Sequence, residues 1–494
     1  MQNPNPNSNS NSKSNPNSYS NSKSNLNSNS NSNSNSNSNP NPNPNPNQKP
    51  KPQLIAVISV VLILLVLSAA ACTGSPVDPG VVTVKPEVVA PDRLIGNVLN
   101  VRAYAAGDGV TDDTAALQQV LDIAFARDQI LIVDFNGGEY LISKPLILPP
   151  GKRVTLQNGT LLAADNFPEN GFLIESGQAG KDGSFANEDL CFDNMLFDSR
   201  HRGGGLKLKS YNRAVITRTW FRHFRTTGLH LAGWSHEALV DKVYFNEYTW
   251  DEWTATQTNP ERFGTALIVD SPDNHFSEVV VALAKKGIEV GGQYNQFANI
   301  HVWGCSEQGV HLKSSFLSLN QAYIDGVQVQ IDDPWQVEIV NSKFFAHIND
   351  PDWAFIVLKP TKQNTYVKGL KIKDSSFQNT EGTIKGLKID NSAGSFHPTE
   401  VRDCFISDNS FVNVAPFASR ARQALTQTNA QMWEADFAAL FPFGSIQSVT
   451  YGLYNSAGTF ANCQVHSIAG HKVLLRTDRP VSGTVWVEAD INLL

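Results

Sequence analysis

Ala266-Leu-Ile-Val269, Gly287-Ile-Glu-Val290 and Gly309-Val-His-Leu312 are copies of one short phrase: a small residue, then apolar, variable, apolar. Outward from these, the phrase occurs at Gly205-Leu-Lys-Leu208, Gly228-Leu-His-Leu231, Gly326-Val-Gln-Val329, Gly369-Leu-Lys-Ile372 and Gly386-Leu-Lys-Ile389. Steps of 23 (Gly205 to Gly228), 21 (Ala266 to Gly287), 22 (Gly287 to Gly309) and 17 residues (Gly309 to Gly326) separate neighbours, with gaps of 38 and 43 where a long loop or two short coils fit. A second element keeps step. Asn274-His-Phe276 and Asn295-Gln-Phe297 lie 21 apart, each followed by an alternating stretch, Val279-Val-Val281 and Ile300-His-Val302, with Ala322-Tyr-Ile324 next. Strict alternation predicts strands with one buried face. Short strands every twenty-odd residues, with no helix between them, predict an all-β parallel solenoid. Each coil gives one rung to each sheet and stacks its inward aliphatics on the rung below, about 4.8 Å away. One coil cannot bury its own apolar face, so many are required, and residues 93–415 supply roughly twelve.

The open end of such a stack needs a cover. Thr111-Asp-Asp-Thr114 offers N-cap side chains and acids for a first helical turn. Leu117, Val120, Leu121, Ala124 and Phe125 then make one helical face. Strand-like Ile130-Leu-Ile-Val-Asp-Phe135 and Tyr140-Leu-Ile-Ser143 follow. Asp108, Asp112 and Asp113, between Gly107 and the helix start, read as turn and cap residues rather than a cation site. Asn212, Asn274, Asn295 and Asn320 suit side-chain ladders at coil corners. Residues 418–440, free of Pro and Gly, read as helical. Beyond them Ser448–Tyr454, Val473–Arg476 and Thr484–Val487 read as strands of a small β-rich extension, so that 416–494 is a helix plus a small β region.

The run Asn100-Val-Arg-Ala-Tyr-Ala-Ala-Gly-Asp-Gly-Val-Thr-Asp-Asp-Thr-Ala-Ala-Leu117, with Gly138-Glu-Tyr-Leu-Ile-Ser143 and Val154-Thr-Leu-Gln-Asn-Gly-Thr-Leu-Leu162, resembles the opening of the pectate-lyase superfamily. The likeness is to its rhamnogalacturonase/epimerase-like group, shared with phage tailspikes. It implies a right-handed, single-stranded parallel β-helix that acts on or binds polysaccharide. It also raises a homotrimer assembled through the C-terminal region as an expectation. The matching segment is the fold's cap, so it leaves the chemistry open. The paired aspartates and Gly-His-Gly signature of the family's hydrolase branch are not found here. The Ca-dependent lyase branch uses Lys or Arg as base, for which Lys313 is a candidate, and leaves a calcium ion open. No motif calls for another cofactor.

The N-terminus is of a different kind. Residues 1–50 contain 20 Asn and 14 Ser, and the 1–53 tail cannot bury enough apolar surface to offset chain entropy. Residues 54–72 form an uncharged apolar segment, marginal for a membrane span and long for a signal peptide core. It ends Leu67-Ser-Ala-Ala-Ala-Cys72, which resembles a bacterial lipobox, with Cys72 as the acylated residue. Export follows on either reading, with the membrane as partner through 54–72; Pro-rich 73–92 reads as a linker. Beyond residue 77 the chain has 35 Lys and Arg against 46 Asp and Glu, which argues against nucleic acid as partner. Five cysteines without Cys-x-x-Cys or zinc-type spacing exclude a metal knot.

The variable positions of the repeat stack into an outward ladder: Lys207, His230, Ile268, Glu289, His311, Gln328. Glu289 and His311, one rung apart, are candidates for an acid–base pair. Asp270 and Lys313 stand two residues further along. On the other strand His301 and Trp303 point outward, and Tyr323 and Asp325 follow one coil later. A His301/Tyr323 pair suits β-elimination of a uronide, whereas Asp325 near Glu289 or Asp270 suits glycoside hydrolysis. Trp250 and Trp253, in a long loop, and Trp303 are candidate sugar-stacking residues. The expected activity is cleavage or modification of an extracellular polysaccharide, lyase before hydrolase or epimerase. The competing expectation is a glycan-binding adhesin or tailspike-like module without catalysis.

Overall fold

The computed structural model describes residues 94–176, 184–255, 260–456, 458 and 460–492. The expectations for 1–53, 54–72, Cys72 and 73–92 lie outside the described residues.

Each solenoid coil consists of three short strands. In one coil these are His275–Ser277, Val280–Ala282 and Lys286–Val290; in the next, Gln296–Ala298, His301–Trp303 and Gln308–Leu312. Every strand pairs in parallel with its counterpart a coil later, which generates three stacks. The first and second stacks lie in one bent sheet of 23 strands, and the third is a sheet of 11. This is the right-handed parallel β-helix that the repeat and the resemblance predict. Inward positions carry the core. Phe276 stacks on Phe297 with ring centroids 4.4 Å apart, and Phe197, Phe221 and Phe245 continue the same kind of column at 5.0 Å steps.

The glycine of the repeat has a steric cause. At the start of the third stack the backbones of successive coils approach too closely for a side chain. A Cβ on Gly228 would sit 2.6 Å from the carbonyl oxygen of Ala266, and one on Gly287 would overlap that of Gly309. Two copies of the phrase serve elsewhere. Val310 pairs with Val329, so Gln328 rather than Gly326 stands opposite Gly309, and the outward ladder continues from His311 to Gln330 instead of Gln328. Gly326, at φ +65°, turns the chain straight from the second stack into the third, which is why this step is short. Gly369, at φ +66°, forms a corner that leads into the first-stack strand Lys371–Lys373.

The corner between first and second stacks recurs as a single left-handed residue: Arg218, Lys242, Glu278, Asn299, Gln321, Asn341, Asp374 and Asp408 all have φ between 48° and 59°. The corner that leads from the third stack into the first holds the expected amide ladder in part. Buried Asn274 and Asn295 bond to each other (Asn274 Nδ2 to Asn295 Oδ1, 2.9 Å), while Asn212 and Asn320 lie on strands.

Helix α1 (Thr114–Phe125) buries the predicted face, Leu117, Val120, Leu121, Ala124 and Phe125. Gln118 completes the cover: its amide accepts from Ile147 N (2.9 Å) and donates to Ile147 O (2.8 Å), pairing the first strand of the third stack. Asp113 occupies the N-cap position but its carboxylate accepts from Ala106 N and Gly107 N instead, and Asp112 takes the bond from Thr114 N. Asp108 accepts from Val110 N and Thr111 N, the turn role expected of it.

The C-terminal region corrects the helix expected at 418–440. Arg420–Asp436 is one long strand, antiparallel to Lys472–Asp490, which absorbs both Val473–Arg476 and Thr484–Val487; Ser448–Asn455 and Cys463–Ala469 complete the sheet. Absence of Pro and Gly permits a helix but does not require one, and here the partner strand supplies the hydrogen bonds.

Residues 247–255 and 260–264 belong to the long loop, inserted between Tyr244–Asn246 of the second stack and Thr265–Val269 of the third. They include a short helix, α2 (Trp250–Ala255), started by a capping box in which Glu252 accepts from Thr249 N (2.7 Å) and Thr249 Oγ1 accepts from Glu252 N (3.3 Å). Both ends of the insert meet at Glu247, which is fully buried and accepts from Phe263 N (2.5 Å), Gly264 N (3.0 Å) and Lys285 N (3.2 Å).

Two outcomes test this account. Gly287→Ala forces a methyl group into the next coil and should cost about 1–3 kcal/mol in urea unfolding; an unchanged midpoint would show that the coils are not so closely apposed. Burial pushes the Glu247 carboxyl from 4.5 up to about 7, although three N–H donors pull it down. The folded protein therefore binds an extra proton in that window, and the stability this contributes is present below about 4.5 and lost as pH rises through about 7. Replacing it, Glu247→Gln should remove that decline, read as thermal midpoints of the two proteins across the window; a constant difference would rule it out.

Candidate functional site

The outward face of the third stack collects most of the expected acid–base residues. His230, Ile268, Glu289, His311 and Gln330 follow one another in one column. Asp270, Lys313 and Asp332 come from the column two residues further on. Three cross-coil pairs share one diagonal geometry, each from the first column to the second in the next coil. His230 Nε2 lies 2.9 Å from Asp270 Oδ2, Glu289 Oε1 2.5 Å from Lys313 Nζ, and His311 Nε2 2.9 Å from Asp332 Oδ2. Glu289 and His311 are thus neighbours in register, as expected, but each is committed to another partner.

The electrostatics follow from these pairs. The bond from His230 holds the Asp270 carboxyl below the usual range, helped by Lys313 and Lys207 nearby. Burial pushes Asp332 up, yet the bonds from His311 and Gln330 outweigh it and hold it down. Lys207 lies over the Phe172 ring at 5.2 Å. Asp332 and Gln330 escape a reading that aligns Gly326 with Gly309; the alternation Val329-Gln-Ile-Asp332 is the signal that identifies them. Because Asp270, Glu289 and Asp332 each have a His or Lys partner, this face does not fit a calcium ion. Among the described residues no group of three His, Cys, Asp or Glu side chains could hold a metal.

His301, Trp303, Tyr323 and Asp325 stand on a different face, the second stack. His301 pairs with Tyr323 and Trp303 with Asp325 across adjacent coils. The His301 and Tyr323 rings stack at 4.5 Å, 17° from parallel. Burial lowers the His301 pKa and raises that of Tyr323, and His301 Nε2 is buried without a hydrogen-bond partner among the described residues. Asp325 receives the Tyr323 hydroxyl at 3.4 Å. Being on the second stack, it is not a neighbour of Glu289 or Asp270, so that expected carboxylate combination does not form. Trp250 and Trp253 lie on α2 with ring centroids 5.0 Å apart, and Trp250 approaches Trp303 at 6.1 Å.

A further cluster was not foreseen. His223 is held between Asp198 (Nδ1 to Oδ1, 2.7 Å) and Glu252 of α2 (Nε2 to Oε2, 3.0 Å), with the His201 ring 4.9 Å from it and Tyr248 4.8 Å from His201. Asp198 ends a strand, His201 and His223 follow strand ends in consecutive coils, and Tyr248 and Glu252 belong to the insert; only the 25-residue step from Asp198 to His223 marks them in the sequence.

Comparison with known proteins agrees with this frame. Residues 98–332 match the family described as rhamnogalacturonase A/epimerase, pectate lyase-like. The polygalacturonase QRT3 of Arabidopsis thaliana is 27% identical over 432 residues, 82% of this chain and 86% of that protein. A probable glucan endo-1,3-beta-glucosidase of Arthroderma benhamiae is 31% identical over 173 residues, 34% of this chain and 18% of that one. Among solved structures, the A-module of mannuronan C-5 epimerase AlgE4 from Azotobacter vinelandii aligns at 14% identity and a TM-score of 0.46, covering 64% of this chain and 96% of the module. Over residues 98–332, the chain is thus similar to the rhamnogalacturonase A/epimerase, pectate lyase-like family, in keeping with the resemblance of its opening segment.

Proposed function

We propose that the protein hydrolyses an acidic polysaccharide on the outward face of the third stack. The observation that carries this is the pair Asp270 and Glu289, which stand on adjacent coils with Lys313 serving both. One rung and two residues separate their backbones, about 8 Å from the strand spacings. Glycoside hydrolysis needs two carboxyl groups on either side of the scissile bond, one to protonate the leaving oxygen and one to activate water or attack. Asp270, kept ionised by His230, suits the base or nucleophile. Glu289 is tied to Lys313 at rest. A uronate carboxylate that takes Lys313 for itself leaves Glu289 only the longer contact to Lys286 (3.9 Å) and sets a second negative charge beside it, which favours the protonated form a general acid requires. His311, Asp332 and Lys207 extend the polar row along the solenoid axis, where a chain of sugars would lie.

Elimination by His301 and Tyr323 is the weaker reading, because the ring nitrogen that would take the proton is buried. The name of the Arabidopsis relative, a polygalacturonase, supports hydrolysis of a uronide. Action outside the cell, with Cys72 as a lipid attachment point, completes the proposal.

Polygalacturonate incubated with the protein should gain reducing ends without the absorbance of unsaturated products. Asp270→Asn and Glu289→Gln should each lower kcat/KM by at least about 100-fold. Unsaturated products would turn the assignment to a lyase, and full activity in both variants would move the site off this face. Tight binding with neither product would leave a binding protein.

A further inference from the structure

The second stack presents another surface, which the acid–base row does not use. Tyr323, Lys343 and Ser376 follow His301 in one outward column, and Asp325, Phe345 and Gln378 follow Trp303 in the next. Asn299, Gln321 and Asn341, the left-handed corner residues of three coils, border them. Tyr323, Lys343 and Gln378 line a groove of about 680 Å³ with these three amides. That is the volume of an ordinary ligand cleft.

Its chemistry differs from that of the third stack, where carboxylates, imidazoles and amines are locked into pairs. Lys343 is exposed and has no ion-pair partner among the described residues, although the lysines of the neighbouring first stack, Lys371 and Lys373, are paired with Glu338 and Asp408. The amides of Asn299, Gln321 and Gln378 make no side-chain hydrogen bond to described residues, so their donors and acceptors are available. Aromatic surface continues toward the N-terminal end: Tyr323 stacks on His301, His301 lies 6.5 Å from Trp303, and Trp250, 57% exposed, adjoins Trp303. Faces for stacking, amides for hydroxyl groups and one free ammonium are what an acidic sugar chain requires of a binding surface.

We infer that this groove is a second glycan site, which holds an acidic oligosaccharide along the solenoid axis without cleaving it. It shares with the proposed function the premise of an acidic polysaccharide, but none of its residues. The groove and the cleavage row lie on different stacks, so a long polymer held at one raises the effective concentration of its other segments at the second.

Calorimetric titration of hexagalacturonate into Glu289→Gln reads binding without turnover. Adding Lys343→Ala or Gln378→Ala to that background should weaken binding at least tenfold each, with Lys343→Arg retaining most of it. Both side chains are exposed, and unchanged thermal midpoints will confirm that the variants fold. Undiminished affinity in both variants overturns the inference, as does failure of hexagalacturonate to bind. Equal affinity for cellohexaose overturns its acidic specificity. Groove-dependent binding in a protein that releases no reducing ends would sink the proposed hydrolysis alone; cleavage without groove-dependent binding would sink this site alone.

Discussion

Everything in this molecule depends on main-chain hydrogen bonding between successive coils at a fixed register. Because the bonds run along the solenoid axis, a residue's neighbours are set by its position in the coil, one rung above and one below. Inward, this aligns Phe276 with Phe297 and Val281 with Val302, and a slip of one residue would turn each such column out to solvent. At the entry to the third stack it brings backbones so close that Gly205, Gly228, Gly287 and Gly309 have no room for a Cβ. Outward, the same register converts scattered sequence positions into the repeated diagonal of His230–Asp270, Glu289–Lys313 and His311–Asp332.

Those columns explain what was legible in the sequence. Where close approach and burial act together, the chain must spell glycine, apolar, variable, apolar, and the capping helix must carry a five-residue apolar face. Where an alternative residue satisfies the same geometry, the signal fades. At 309–329 the spelling recurs two residues early, because Gly326 is needed for a left-handed turn rather than for close approach. The first-to-second corner demands a left-handed residue in every coil, yet Arg, Lys, Glu and Gln fill it as well as Asn and Asp, so no motif appears. In Arg420–Asp436 the half-buried positions include Gln423 and Gln427, which erases the two-residue period of a strand.

The candidate site was legible to the same degree. Neighbour relations such as Glu289 beside His311 and His301 beside Tyr323 follow from register alone. Partner choice does not: which carboxylate an imidazole meets depends on the lean of side chains across coils, and Asp332 was displaced by the Gly326 slip. The division of polar residues between two faces was hidden as well, since sequence order interleaves the stacks. Asp325 and Glu289 are 36 positions apart but project from different sheets.

The insert is where register no longer decides, and protons take over. The register of the coils does not extend to the insert; Glu247 closes its base, the Asp198–His223–Glu252 relay ties α2 to the solenoid, and Arg262 bonds to the Gly304 carbonyl. A neutral imidazole has one N–H, so His223 donates to both carboxylates only as a cation. Burial opposes that charge, but the two carboxylates outweigh it and raise the His223 pKa. Glu247 is also raised, by burial. An acid and a base thus shift in the same direction: both make the docked insert bind protons that a released insert gives up, and both lose their contribution as pH rises. Asp198 and Glu252 are held low and set the opposite limit, losing theirs only as pH falls into the carboxylate range. These four side chains therefore favour the packing of α2 against the solenoid most between the carboxylate range and neutrality.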